Sequence, residues 1–431
     1  MRTKPSGEAA SDAPRTMAQK IIGRAAGVPH ARVGDIVTVR ADLAMTNDIT
    51  APLTLRQFRA AGAKRVFDPD RVCVVAGRHM PFRDTHLAEE VHRIAQFCEE
   101  QGIRTFFSNC EGMDHALAPE LGLIRPGMLI LNGDSHACTY GAFGALSVGM
   151  GSTDMAYVLA FGETWLKVPA TISVRFHGKR PLYVTSKDLV LALLGRLGVD
   201  GARYKALEYS GDAVTDLGMD ERMTIANMSI EMGAKAGMMA ADARTEAYVQ
   251  SHTNERYAIV KSDAEAEFDS AIDIDVASLT PLVAKPFLPA NVARVSEVRG
   301  TKVTQVAIGT CTNGRLIDIE QAAAILKGRK VARGVRLYVT PATKNVYSEA
   351  LKTGLLEALW DAGAVINAPG CGPCDGLVGA LQANDVCVAT HNRNFRGRMG
   401  HKEAQIYLAS PYVAAASAIA GAIVDPSEVV R

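Results

Sequence analysis

No stretch of this 431-residue chain reaches the roughly 18 consecutive apolar residues that a membrane-spanning helix needs, which argues against a membrane protein. An excess of one charge is missing too. With 47 Lys+Arg against 46 Asp+Glu, no general field draws in nucleic acid or anionic lipid, and the expected partner is a small molecule or another protein. Aromatics are few, at 6%, and 18 prolines stand against 38 glycines. With 48% hydrophobic residues rich in Ala, Val and Leu, this suits an α/β enzyme rather than a disordered or fibrous chain. Eight cysteines are too dilute for a disulfide scaffold and only Cys371 and Cys374 form a CxxC, so a reducing cytoplasm is the natural setting. Residues 1–16 are polar, lack the apolar core of a secretory signal, and read as a disordered tail. The length implies two or three domains.

What is present is an alternation of short apolar runs with helical patterns. From residue 33 to 131, Val72-Cys-Val-Val, Arg104-Thr-Phe-Phe and Met128-Leu-Ile-Leu read as strands, and Leu87, Val91, Ile94, Ala95 and Cys98 recur at helical spacing. This rhythm predicts a parallel sheet with crossover helices. Residues 17–169 are taken as a first α/β domain and 170–285 as a second, with a strand from Thr171 and helices over 187–197 and 222–236. The third, 286–431, has three apolar runs that each lead into a polar cluster: Gly309-Thr-Cys-Thr-Asn-Gly-Arg315, Gly370-Cys-Gly-Pro-Cys374 and His391-Asn-Arg-Asn-Phe-Arg-Gly-Arg398. Ligands of doubly wound sheets bind beyond the carboxyl ends of strands, so the three clusters should meet at one site. The glycine-rich run 141–151 has no phosphate-loop pattern and reads as tight helix packing.

Cys311, Cys371 and Cys374 supply three thiolates, one short of a closed zinc or iron-sulfur site, and an open position is what a catalytic metal needs. A CxxC alone fits a redox pair, a structural metal site or a catalytic cluster equally. Gly133-Asp-Ser-His136 follows a strand: Asp134 could orient the His136 ring for proton transfer, or Asp134 or Ser135 could simply cap a helix. His79 and His115 also follow strand-like runs, whereas His30, His86, His92, His177 and His252 read as surface or packing residues. Asn227 and Glu231, at i and i+4, share a helix face that is either solvated or turned to a pocket. Arg315, Arg393 and Arg398 offer guanidinium forks for carboxylates. Three cysteines beside three arginines suggest an iron-sulfur site that holds a polycarboxylate.

Cys311-Thr-Asn-Gly-Arg, Gly370-Cys-Gly-Pro-Cys, Asn392-Arg-Asn-Phe-Arg-Gly-Arg, Gly133-Asp-Ser-His and Arg222-Met-Thr-Ile-Ala-Asn-Met-Ser-Ile-Glu together resemble the aconitase superfamily, from about residue 17 to the end of the chain. The length and Asp42-Leu-Ala-Met-Thr-Asn-Asp-Ile-Thr look most like the branch of large subunits shared by 3-isopropylmalate dehydratase and homoaconitase. The resemblance implies three α/β domains with mostly parallel sheets around a 4Fe-4S cluster held by Cys311, Cys371 and Cys374. It places His79, His136, His115 and Asp134 in the proton-handling shell and Asn227 and Glu231 near the iron-bound hydroxyl. Ser135 and Asn313 add polar contacts, and Asn392, Arg393 and Arg398 hold substrate carboxylate. The implied reaction is reversible dehydration and rehydration of a 2-hydroxy di- or tricarboxylate, as in leucine biosynthesis. The Gly-Ser-Ser-Arg type motif carrying the base for the carbon-bound proton is absent, so a separate small, swivel-domain subunit should supply it, and this chain alone should be inactive.

Two residues depart from that pattern. Arg78 precedes His79 where the family has Asp, and Asp114 precedes His115 where related sequences usually have Cys. An arginine there is expected to lower the His79 pKa, unless Arg78 and Asp114 compensate each other or Arg78 binds an extra substrate carboxylate. Other readings are homoaconitate or dimethylmalate as substrate, a non-catalytic iron-sulfur ligand sensor, and a structural zinc protein. The lack of a basic stripe argues against RNA binding.

Overall fold

The structure, a computed structural model, describes residues 13–430. Most of the expected tail lies outside them, but its last residues are anchored rather than loose. The Arg15 amide donates to Asp263, and buried Thr16 forms a capping box with Gln19 that opens the helix Met17–Ala26. Among the described residues no helix is long and apolar enough to cross a membrane.

The first sheet has five parallel strands, with Leu43–Asn47 in the middle. Val72–Val75 and Thr105–Phe107 lie to one side of it, Leu129–Asn132 and Leu146–Gly149 to the other. Leu43–Asn47 and its two neighbours are buried along their whole length, as expected of parallel strands covered on both faces. Because strand order reverses at Leu43–Asn47, the loops at its carboxyl end diverge and leave a crevice. A small antiparallel ribbon, Ile36–Arg40 with Glu163–Lys167, flanks this layer.

A second sheet of four parallel strands runs Ala236–Met239, Ala206–Ser210, Thr171–His177, Ser270–Asp275. The third has seven strands, and its order reverses at Gln305–Gly309. Arg336–Thr340 and Ala364–Ile366 lie on one side, Val386–Ala389 and Gln405–Ala409 on the other, all parallel. Leu282–Ala284 and Val292–Arg294 extend it antiparallel, so the expected boundary at 285/286 falls inside this sheet. The second and third sheets share one core, in which Ile172 and Leu207 are buried together with Ala389 and Ile406.

The helix expected over 222–236 is shorter than its pattern suggested. It spans Met219–Asn227, tightens into a 3₁₀ turn, Met228–Met232, and stops at Gly233 with φ 81°. Ala236–Met239 is then a strand, since a short apolar run is ambiguous between helix and strand until a neighbour pairs with it. The glycine-rich run is not helix against helix either. A Cβ on Gly141, in the 3₁₀ segment Ser135–Phe143, would lie 1.9 Å from the Gly237 carbonyl oxygen, and the run ends in the strand Leu146–Gly149.

Arg222 anchors the start of this region. Fully buried, it grips Asp242 with both Nη atoms at 2.9 and 2.7 Å, and Asp242 also caps the helix Ala243–His252. Partial burial raises the Asp242 pKa, but the Arg222 and Thr245 hydrogen bonds outweigh it and lower the value to about 2. Folded-state stabilisation from this carboxylate is therefore complete above pH ~4 and lost as the pH falls toward 2; allowing for solvent screening it amounts to about 1 kcal/mol. Asp242→Asn should abolish that acid-limb component and, by leaving a buried guanidinium unpaired, destabilise the chain by about 3 kcal/mol at pH 7, measured by urea unfolding across pH.

Candidate active site

The carboxyl-end loops of the first and third sheets face one another across a cavity of about 520 Å³. The first sheet contributes Arg78, His115, Asp134, Ser135 and His136. The third contributes Cys311, Cys371, Cys374, Asn392, Arg393 and Arg398, so its three polar clusters do converge.

The cysteine loops are shaped by backbone close approaches. Cys311 follows Gly309 at φ 144° and Thr310 at φ 74°, a left-handed conformation that a β-branched residue adopts only under tertiary constraint. In the CxxC loop a Cβ on Gly370 would lie 2.3 Å from the Arg78 carbonyl oxygen, and one on Gly372 would lie 2.2 Å from Thr340 Oγ1. The Cys371 amide donates to that same Arg78 carbonyl at 2.9 Å, so the loop rests on the first sheet's wall. Asn392 Nδ2 approaches the Cys311 sulfur at 3.4 Å, and Arg398 Nη2 the Cys374 sulfur at 3.0 Å. Burial pushes the Cys374 thiol up to about 12, whereas for Cys311 the charges of His136 and His115 outweigh burial and lower it. Three free thiols on one wall, two of them met by N–H donors, fit a cluster with three protein ligands and one open position. Cys138 is turned away, its thiol donating to the Asn227 carbonyl. A second donor set, His79, Cys371 and Asp375, has its ligand atoms within 4.8 Å of one another.

Buried Arg78 meets Asp134 at 2.9 Å, Asp114 at 3.0 Å and Asp48 at 3.6 Å. Both Nη atoms are taken by aspartates and Nε, without a hydrogen bond, is buried 3.6 Å from Asp48, so the extra substrate-carboxylate role has no exposed guanidinium edge, and the Arg78–Asp114 pairing is formed. The lowered His79 pKa is not realised. Burial opposes its charge, but Asp375 at 2.7 Å and Asp48 at 3.0 Å, together with Cys371, lift it to about 11. His115 lies 3.1 Å from Asp114 and 3.0 Å from Asp134, which raise its pKa well above the usual value despite burial. For His136, burial and Arg393 oppose the charge, while Asp134, Cys311 and Glu231 favour it and prevail.

Asp134 does not orient the His136 ring, whose Nδ1 is 3.8 Å away. It accepts from the His136 amide as a 3₁₀ cap and contacts the His115 ring, while Glu231 Oε1 holds His136 Nε2 at 2.8 Å and also accepts from Arg393 Nε at 2.8 Å. Asn227 and Glu231 do not share an α-helical face, because the helix stops between them. Asn227 instead accepts from Thr312 at 3.0 Å and Asn392 at 3.3 Å behind the cavity. His79 opens onto an adjoining cavity, also about 520 Å³, that shares Asp375 and Arg398 with the first. Arg315 and Asn313 are corrections: neither lines the cavity. Arg315 turns back onto the carbonyls of Cys311 and Thr312 at 2.8 and 2.9 Å, and Asn313 donates to Asp318 at 2.8 Å. Sequence reasoning missed Asp48 and Asp375. Asp375 adjoins the CxxC and had that local signal; Asp48 is recognisable only by what the fold packs against it.

An aconitase family (aconitate hydratase) model matches residues 19–421, and the chain belongs to the aconitase family. Its relatives include the 3-isopropylmalate dehydratase large subunit of Moorella thermoacetica, 47% identical over 96% of this chain and 99% of that protein. That of Nitratidesulfovibrio vulgaris is 49% identical over 95% and 99%, and large subunit 1 of Pyrococcus furiosus is 47% identical over 96% and 99%. Among solved structures, holo-form aconitase X of Thermococcus kodakaraensis covers 85% of this chain and 88% of its own, with TM-score 0.48 and 14% identity.

Replacing Arg78 by Met should strand three carboxylates, and replacing Asp114 by Asn should leave Arg78 short of one. Each change is expected to cost about 3–5 kcal/mol, with about 1–3 kcal/mol recovered in the double variant. Urea unfolding of the four proteins tests this, and strictly additive losses would show that the pair does not compensate.

Proposed function

We propose that this chain is the large subunit of a 3-isopropylmalate dehydratase, which isomerises 2- and 3-isopropylmalate by dehydration and rehydration in leucine biosynthesis, in the cytoplasm, together with a small subunit. The observation that carries this reading is the convergence of three free thiols with Arg393, Arg398 and His136 on one cavity, in a chain whose near full-length relatives bear that name. Cys311, Cys371 and Cys374 would hold a 4Fe-4S cluster, which when bound supplies a Lewis acid for the hydroxyl.

The chain's own groups divide the remaining work. Arg393 and Arg398 offer charged N–H donors to substrate carboxylates. His79 has both ring nitrogens held by aspartates, and those of His115 lie against Asp114 and Asp134, so these two shape the field rather than exchange protons. His136 is different: Glu231 holds Nε2, while Nδ1 meets only Ser135 Oγ at 3.3 Å and Asp134 at 3.8 Å. It is the histidine best placed to hand a proton to a departing hydroxyl. The base for the carbon-bound proton comes from the small subunit, which is why the isolated chain is expected to be inactive.

The anaerobically purified chain should contain about four irons and four sulfides, as a single 4Fe-4S cluster requires. Reconstituted with the small subunit it should act on 3-isopropylmalate in preference to homoaconitate or dimethylmalate. His136→Gln should lower kcat about 10²–10⁴-fold with cluster content unchanged. Zinc in place of iron, bound through the His79, Cys371 and Asp375 set, would overturn the reading in favour of a structural metal site, and a cluster indifferent to every diacid would favour a sensor.

A further inference from the structure

Lys187 is wholly buried as the second residue of the helix Ser186–Leu197. An ammonium has three donors, and all three are used. They go to the Thr390 carbonyl at 2.6 Å, the His391 carbonyl, and Asn313 Oδ1 at 3.3 Å. None goes to a carboxylate, and burial pushes its pKa down to about 7, but three oxygen acceptors from two separate loops converge on Nζ and are matched by the three donors of the protonated form. Its own position is held firmly: Thr185 caps the helix by accepting from the Lys187 amide, and Asp188 accepts from the amides of Thr185 and Leu282, each at 2.8 Å.

The two loops it joins are those that present the chemistry. One runs from Cys311 to Asn313; the other runs on from His391 to Asn392, which touches the Cys311 sulfur and Thr312, and to Arg393, which reaches the cavity. We propose that Lys187 is a positioning residue whose ammonium pins the 390–393 main chain to the 311–313 turn, fixing Cys311 against Asn392 and Arg393. It touches neither cavity nor sulfur, and acts through those carbonyls. This role in the reaction rests on the function proposed above, but the loop pinning does not.

The test compares Lys187→Met, apolar and of similar reach, with Lys187→Gln, which keeps a neutral donor. In the pair reconstituted with the small subunit, K187M should lower kcat/KM for 3-isopropylmalate about 100-fold, chiefly through KM, because Arg393 drifts from its place, and K187Q should restore part of the loss. In the cluster-free chain, alkylation by iodoacetamide, mapped by peptide mass, should be about tenfold faster at Cys311 in K187M, with Cys371 and Cys374 unchanged, a factor of ten being about 1.4 kcal/mol of lost protection. Wild-type kinetics and labelling in K187M would overturn the proposal. So would equal acceleration at all three cysteines with no advantage for K187Q, the mark of general loosening. Should K187M fail to fold by circular dichroism, K187Q alone decides by the same labelling ratio. A wild-type pair inert on every diacid would refute the proposed function, while the labelling would still judge Lys187.

Discussion

The buried guanidinium of Arg78 is the interaction on which the site's geometry rests. Asp48 follows the central strand of the first sheet, Arg78 its neighbour, Asp114 lies beyond the edge strand Thr105–Phe107, and Asp134 follows Leu129–Asn132. One cation therefore gathers the carboxyl-end loops of four parallel strands, and its carbonyl receives the Cys371 amide from the opposite sheet. Burying so much charge is favourable only when every member has a partner, which makes the arrangement stiff and intolerant of partial change.

That compensation also sets the charge state of the histidines. His79 and His115 each lie between two carboxylates and stay cationic although buried, whereas His391, facing Lys187 and Arg398, is pushed down to about 3 mainly by burial. Identical side chains thus take different roles through their neighbours alone. The second sheet contributes little of the cavity lining, yet supplies Glu231 and Asn227 behind it. It serves as the backing that holds groups projecting from the other two.

Some buried strands were legible from their apolar runs: 72–75 and 386–389 form where the pattern placed them and 129–132 one residue later, whereas the equally buried Leu43–Asn47 and Ala236–Met239 were not. The convergence of the three third-sheet clusters followed from each one standing at the end of a strand-like run. What could not be read was direction. Arg315 and Asn313 sit in the same motif as Cys311 but point away from the cavity, because Arg315 is drawn to the carbonyls left open by the short turn Thr310–Asn313. The partners of His79, Asp48 and Asp375, come from segments remote in sequence, and their pairing is a tertiary fact. The helix through Asn227 and Glu231 failed as a prediction because it tightens into a 3₁₀ turn at Met228 and stops at left-handed Gly233, a change of winding that apolar periodicity does not encode.

The seating of Gly370 on the Arg78 carbonyl has a consequence for how the protein matures. Cys371 and Cys374 come far later in the chain than Arg78, and their loop takes its final shape only against the wall that residue helps to form. Cys311 is made before the other two, and the three thiols become one set only once long-range docking brings the first and third sheets together. A group that binds all three thiols therefore also ties the third sheet to the wall of the first.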